Sequence, residues 1–161
     1  VLGDTIKFVS KNPYRFVITG RTKCYINTFG EELMVENAEK AITLAQERCQ
    51  CVVEEYTAAP LQLEDGRLGR HQWAIAFSKA PDNLENFTKI LDQALMEVNS
   101  DYEAKRQGDL ALLLPEVISC KPNTFYNWLK KRDKLGGQNK VPKLSNNRKI
   151  IEEVIAINNE N

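Results

Sequence analysis

After Phe29-Gly30 the hydrophobic period of this chain changes from two to about 3.6, and it goes on switching between those periods to the end. Thr5-Ile6-Lys7-Phe8-Val9 alternates, and Tyr14 to Ile18 follows a Lys11-Asn12-Pro13 turn, so the chain opens on a β-hairpin. A third short strand runs from Tyr25 to Thr28. Val35, Ala38, Ala41, Ile42 and Ala45 then fall on one face of a helix from about Val35 to Arg48. Cys51 to Tyr56 reads as a strand closed off by Pro60, and His71 to Phe77 as another with Trp73, Ile75 and Phe77 on one side. Between them lies a polar, glycine-marked loop from Glu64 to Gly69.

Pro81-Asp82-x-x-Glu85 is a capping-box opening. It predicts one long helix with the stripe Leu84, Phe87, Leu91, Leu95, Val98 and Tyr102, ending near Arg106. Ala111 to Cys120 reads as a strand interrupted at Pro115. One helix follows from about Asn123 to Lys134, Gly136-Gly137 breaks it, and a last helix begins near Asn146. Hairpins beside crossover helices predict an α+β fold, a mixed β-sheet with helices packed on it.

The 161 residues are expected to make one ordinary domain, or one domain carrying a short extra piece, large enough to bury about two thirds of its unfolded surface without a staple. Four cysteines match no compact disulfide framework, and His71 is the only histidine, so no metal site is expected and the thiols are expected to be idle. Lys plus Arg equal Asp plus Glu, which argues against binding nucleic acid or membrane by bulk charge. No apolar run reaches the roughly 20 residues of a membrane span, and no signal peptide opens the chain, so a cytoplasmic protein is expected. The chain begins Val-Leu-Gly-Asp without a Met, and we expect an excised fragment.

Charge is unevenly spread. From Lys121 to Lys149 nine cations face one carboxylate, Asp133. Such a segment either meets something anionic or is a solvated face. Two constellations carry chemical information. Gly3-Asp4 precedes Gly20-Arg21: a carboxylate at a turn can accept hydrogen bonds from a ribose diol, and an arginine on the neighbouring strand can reach the same sugar or its phosphate. The second runs from Gly136 to Arg148, a polar cationic loop in which Lys140 stands between a glycine pair and Pro142. A lysine so placed can meet negative charge growing on a phosphoryl group.

Leu2-Gly3-Asp4, Thr19-Gly20-Arg21-Thr22-Lys23, Phe29-Gly30-Glu31-Glu32-Leu33 and Glu39 together resemble the hinge region of adenylate-forming enzymes. Asn99-Ser100-Asp101-Tyr102, Phe125-Tyr126-Asn127-Trp128-Leu129 and Gly136 to Lys143 narrow the resemblance. They are similar to the C-terminal part of the auxin-responsive-promoter (Gretchen Hagen) family of acyl acid amido synthetases, its bacterial branch in particular. The resemblance covers essentially the whole chain and rests on the order and spacing of its motifs.

That resemblance implies a two-step ligase. A carboxylic acid and Mg-ATP give an acyl-adenylate and pyrophosphate, and an amino acid amine then takes the acyl group and releases AMP. It further implies that ATP and Mg²⁺ are bound mainly by a larger N-terminal domain. Residues 1–22 would be that domain's last hairpin and the hinge, and residues 23–161 a mobile C-terminal domain that rotates between two poses. The expected partners are the two substrates and the chain's own N-terminal domain, with neither nucleic acid nor membrane.

Carried over residue by residue, the resemblance makes Asp4 and Arg21 nucleotide-binding, Lys23 the hinge, and Lys140 the mobile catalytic cation. Gly30-Glu31 would begin the loop facing the active site in the second pose. Two departures matter. The superfamily's closing Ser-Gly-Lys is missing, so Lys149 is the alternative catalytic cation. Plant members carry an Asp-Lys pair where this chain has Gly30-Glu31. Read without the resemblance, His71 is a structural or surface residue, Trp73 and Trp128 are core aromatics, and Glu54-Glu55 is a solvated strand edge. The competing function is a non-enzymatic α+β module whose basic end docks on RNA or an acidic protein, though its strands lack closely spaced aromatics that stack bases.

Overall fold

A computed structural model describes residues 4–21, 24–63, 68–109, 111–136 and 139–160. Strands β1 (Asp4–Lys11) and β2 (Tyr14–Arg21) form the expected antiparallel hairpin, with irregular register at Thr5/Ile6 and Phe8/Ser10. Two-residue strands β3 (Tyr25–Ile26) and β4 (Leu33–Met34) pair with each other around a six-residue loop. Helix α1 (Val35–Cys49) follows directly, its first turn tied by Met34 N–H donating to Asn37 Oδ1 at 3.2 Å.

The main sheet has the order β5 (Val52–Gln62), β6 (Gly69–Lys79), β7 (Glu116–Cys120). β5 and β6 are antiparallel, whereas β6 and β7 are parallel, so the sheet is mixed as the sequence predicts. Both its faces are covered, which is why residues 56–60 and 71–76 are buried without interruption. Tyr56, Ala58, Trp73 and Ile75 point to one face, where α1 and α2 (Leu84–Val98) close a core with Ala38, Ala45, Phe87 and Leu91. Ala59, Ala74 and Ala76 point to the other, under α4 (Thr124–Lys131) and α5 (Lys149–Glu160) with Phe125, Trp128, Ile151 and Val154. The result is a helix–sheet–helix sandwich, an α+β fold.

Three elements differ from the sequence reading. β5 does not stop at Pro60 but runs through it. Ala58 directs its N–H and C=O outward from the sheet, to Lys143 and Ser145, and Pro60 lies two residues on with the same orientation. The missing N–H therefore faces the open edge, where a proline costs no ladder bond. The long second helix is in fact two, α2 and α3 (Ser100–Arg106), broken at Asn99. Asn99 ends the first helix and caps the second, its Oδ1 accepting from Tyr102 N at 2.9 Å. The opening of α2 is likewise capped by Asn83, whose Oδ1 accepts from Asn86 N, and not from Pro81-Asp82. Finally, Leu112 makes only an isolated bridge to Gly69, and β7 proper begins after Pro115.

Candidate functional site

Two segments carry some of the residues singled out by the sequence, Lys140 and Lys149 on one and Gly30-Glu31 on the other, and the fold brings the two segments together. The first is the stretch from Asn139 to Lys149. It is fastened to the free edge of β5 by a parallel bridge between Ala58 and Leu144. Ala58 N–H donates to Lys143 O at 2.8 Å, Ser145 N–H to Ala58 O at 3.1 Å, and Thr57 Oγ1 to Pro142 O at 2.7 Å. Val141 and Leu144 are buried, so the strip is pinned from below as well.

Cations on this strip divide into two kinds. Lys143 pairs with Glu55, and its ammonium lies 4.5 Å from the centre of the Tyr56 ring. Glu55 is therefore half-buried and ion-paired, a correction to the solvated edge expected of Glu54-Glu55. Arg148 donates to Pro60 O, Gln72 Oε1 and Glu152 Oε1, which ties α5 to the sheet. Arg132 pairs with Glu153 and covers the Trp128 ring, and Lys131 pairs with Glu160. Lys140 and Lys149 are of the other kind. Both are exposed, and among the described residues neither side chain has a carboxylate partner. Four of the nine cations from Lys121 to Lys149 thus pair with carboxylates, and Lys140 and Lys149 share with Lys121, Lys130 and Lys134 the absence of such a partner among the described residues.

The second segment is the loop between β3 and β4. Asn146, within the first segment, joins the two: its Oδ1 accepts from Asn27 N at 2.8 Å and from Thr28 Oγ1 at 3.3 Å. Within the loop, Asn27 Oδ1 accepts from Glu32 N at 3.1 Å. The Glu31 carboxylate turns inward and is fully buried, accepting Phe29 N–H at 2.7 Å and lying 2.8 Å from His71 Nε2. Burial alone would raise the Glu31 carboxyl. The hydrogen bond and charge of His71, with the N–H groups of Glu31 and Phe29, outweigh that and hold it below its ordinary value. Phe29 packs directly over Gly69, where a Cβ would overlap its ring and approach Leu61 O to 2.8 Å.

Asp4 and Arg21 face each other in the β1–β2 register, which brings the two expected nucleotide-binding positions to one end of the hairpin. Their side chains, and the whole of Lys23, lie outside the described residues. His71 is buried, and Trp73 and Trp128 are core aromatics as expected. Cys49, Cys51 and Cys120 are free thiols that burial pushes up, Cys120 to about 11, so none of the three is a ready nucleophile. No helix among the described residues is long and apolar enough to cross a membrane. The sequence reading missed Glu31, Asn99 and Asn146 as anchors. Partners that stand 40 to 119 residues apart leave no periodic signal.

Comparison with known proteins agrees with this layout. Residues 36–149 match the family model described as the GH3 family C-terminal domain. Two solved structures superpose on 96% of the chain at 17% sequence identity. They are a GH3.15 acyl acid amido synthetase, at a TM-score of 0.74, and AtGH3.15 acyl acid amido synthetase in complex with 2,4-DB, at 0.69. The chain covers 30% and 29% of those two proteins. No curated protein sequence matches it. The matched model spans well over half of the residues and ends at Lys149, the far end of the pinned cationic strip. The chain therefore belongs to the GH3 family, and carries its C-terminal domain.

Proposed function

We propose that this chain is the C-terminal part of an ATP-dependent ligase that adenylates a carboxylic acid and transfers the acyl group to an amino acid amine. The observation that carries the reading is Lys140, an exposed ammonium with no carboxylate partner among the described residues, standing at the end of a strip locked to β5. The family match and the names of the solved relatives support it.

In the first step a carboxylate oxygen of the acid attacks the α-phosphorus of ATP, and the bond from that phosphorus to the bridging oxygen breaks. Pyrophosphate leaves with the electron pair. Charge grows on the phosphoryl oxygens, and an ammonium brought there by domain rotation lowers the barrier electrostatically. Lys140 fits that task because its base is fixed while its side chain is free. Lys149 fits the charge requirement but starts a helix. In the second step the amine nitrogen bonds to the acyl carbon, the bond from that carbon to the phosphate oxygen breaks, and AMP leaves with the electron pair. The amine proton passes to solvent.

ATP, Mg²⁺ and the acid would be held mainly by the rest of the enzyme, with Asp4 and Arg21 contributing to the nucleotide site and Lys23 serving as hinge. The chain by itself would be inactive. ATP–pyrophosphate exchange on the full-length enzyme, across a panel of carboxylic acids, tests the reading. One acid should stimulate exchange, and Lys140→Ala should lower it by about a hundredfold or more, roughly 2.7 kcal/mol of barrier. Exchange that survives Lys140→Ala but falls with Lys149→Ala would move the catalytic cation to Lys149. Absence of exchange with every acid would overturn the ligase reading.

A further inference from the structure

The turn between α1 and β5 sets two thiols side by side. Cys49 is the last residue of α1 and Cys51 comes just before β5, with Gln50 alone between them. Gln50 ends the helix in the left-handed conformation, at φ 52° and ψ 35°, and Cys51 N–H donates to Gln46 O at 3.2 Å. Between trans peptides, the torsions of a middle residue alone fix the distance between the Cα atoms on either side. Those of Gln50 are close to the mirror image of α-helical torsions, so the two Cα atoms stand about 5.5 Å apart. That is near the commonest spacing of a disulfide. An extended residue there would stretch it to about 6.7 Å, the limit of the disulfide range.

Side-chain placement agrees with the spacing. Cys51 is buried in the core beneath α1 and α2, and Cys49 packs against that same cluster from the helix end. The charge of Cys49 acts on Cys51, which places the two sulfurs within electrostatic reach. Cys120, by contrast, lies in the core on the opposite face of the sheet. The two thiols differ in access. Cys49 is half-buried and lines a surface cavity of about 210 Å³ between the end of α1 and the start of α2, beside Gln50, Asp82, Asn83 and Asn86. Cys51 is only 5% exposed and takes no part in that lining. A small reagent therefore meets Cys49 first, and Cys51 is the thiol left to displace it. Burial raises both thiols above their ordinary value, which slows exchange near neutral pH but makes each thiolate, once formed, a stronger nucleophile.

We propose that Cys49 and Cys51 are a redox-active dithiol, which a small-molecule disulfide of the glutathione type closes into a Cys49–Cys51 disulfide. The Cys49 thiolate attacks one sulfur of the reagent, and one small thiolate leaves with the electron pair of the broken S–S bond. The Cys51 thiolate then attacks Cys49 Sγ, and the second small thiolate leaves in the same way. The protein gives up two electrons and the protons of both thiols, and the reagent is reduced to two thiols. A ring closed over Gln50 alone restrains the unfolded chain little, so the bond is exchangeable and no staple.

The test requires no ligase activity. Reduced full-length protein is held in mixtures of oxidised and reduced glutathione, quenched with acid, alkylated and digested, and the peptide carrying both cysteines is weighed. The expected product has lost two hydrogens, carries no glutathione and takes no alkyl group at either residue, and dithiothreitol restores both thiols. Cys51→Ala should instead hold one glutathione on Cys49, and Cys49→Ser should leave Cys51 unreacted. Because the fold presets the spacing, the ratio of closed to open pair should exceed that of the urea-unfolded chain by about tenfold or more in the same mixture. A lasting glutathione adduct on Cys49 of the native protein would overturn the proposal, and so would two free thiols at every glutathione ratio. A Cys51 that reacts as fully without Cys49, or a closed fraction no higher in the folded chain than in the unfolded one, would do the same. The measurements on the native protein decide the matter even where a variant fails to fold.

Discussion

Glu31 and His71 stand 40 residues apart, and a glutamate is almost never fully buried without such a partner. Together they are tolerable because every oxygen of the carboxylate is used. The pair gives the fold a pH dependence whose sign follows from Glu31. Its folded carboxyl lies below the ordinary value of 4.5, because His71 and two backbone N–H groups outweigh the effect of burial. The folded state thus binds that proton less readily than the unfolded chain does. The stabilisation is fully present above 4.5 and is lost as pH falls through the lower folded value. Urea unfolding of the native chain and of Glu31→Gln at a series of pH values checks this. The stability gap between them should be constant from pH 5 to 6 and should shrink steadily below 4.5. A gap that widens in acid would reverse the sign and show that the carboxyl is raised.

Asn99 decides whether the chain has one long helix or two. The apolar stripe continues smoothly from Val98 to Tyr102, so periodicity alone runs the helix to Arg106. The break becomes necessary only when the far partners are known. Tyr102 OH donates to Asp92 Oδ1 at 2.7 Å, and Arg106 grips the same carboxylate with two bonds of 2.8 Å, which turns α3 back against α2. Asn99 caps the new helix and at the same time holds the Glu31 and Glu32 carbonyls. Asn83 at the start of α2 offers the control, since its side chain caps one helix and is itself exposed. Asn83→Ala should cost about 1 kcal/mol, the ordinary worth of a cap. Asn99→Ala should cost about 2–4 kcal/mol, adding two lost carbonyl bonds to the cap. Denaturant midpoints of the two variants decide the matter, and equal losses would reduce Asn99 to a simple cap. The same contrast marks what could be read from the sequence. Helix faces and the mixed sheet are written in local periods, and so were legible. The Pro60 passage, the Asn99 break and the anchoring of the β3–β4 loop depend on partners that only the fold supplies.

At the scale of the whole molecule, the hairpin is the part that its own chain does not satisfy. Ile6, Phe8, Val9, Tyr14, Phe16 and Val17 are each about half exposed or more, and they account for six of the nine large apolar side chains exposed among the described residues. Phe8 touches Phe16 and Tyr14 edge to face, at 6.4 and 6.0 Å, but the cluster remains open to solvent. A concentrated apolar surface of this kind calls for a cover. On the proposed division, with residues 1–22 as the last hairpin of a larger N-terminal domain, that domain supplies it. Replacing Phe8 and Phe16 together by Ser then has opposite consequences in two settings. In the isolated 161-residue chain the change removes surface that is already wet, so thermal unfolding of the sandwich should shift little. In the full-length enzyme two buried rings would be lost, at about 3–5 kcal/mol each for complete burial, and the N-terminal domain should unfold many degrees earlier. Calorimetry on both proteins reads the outcome. A full-length enzyme as indifferent to the change as the isolated chain would show that the hairpin lies free there too, and would end the assignment of residues 1–22 to the larger domain.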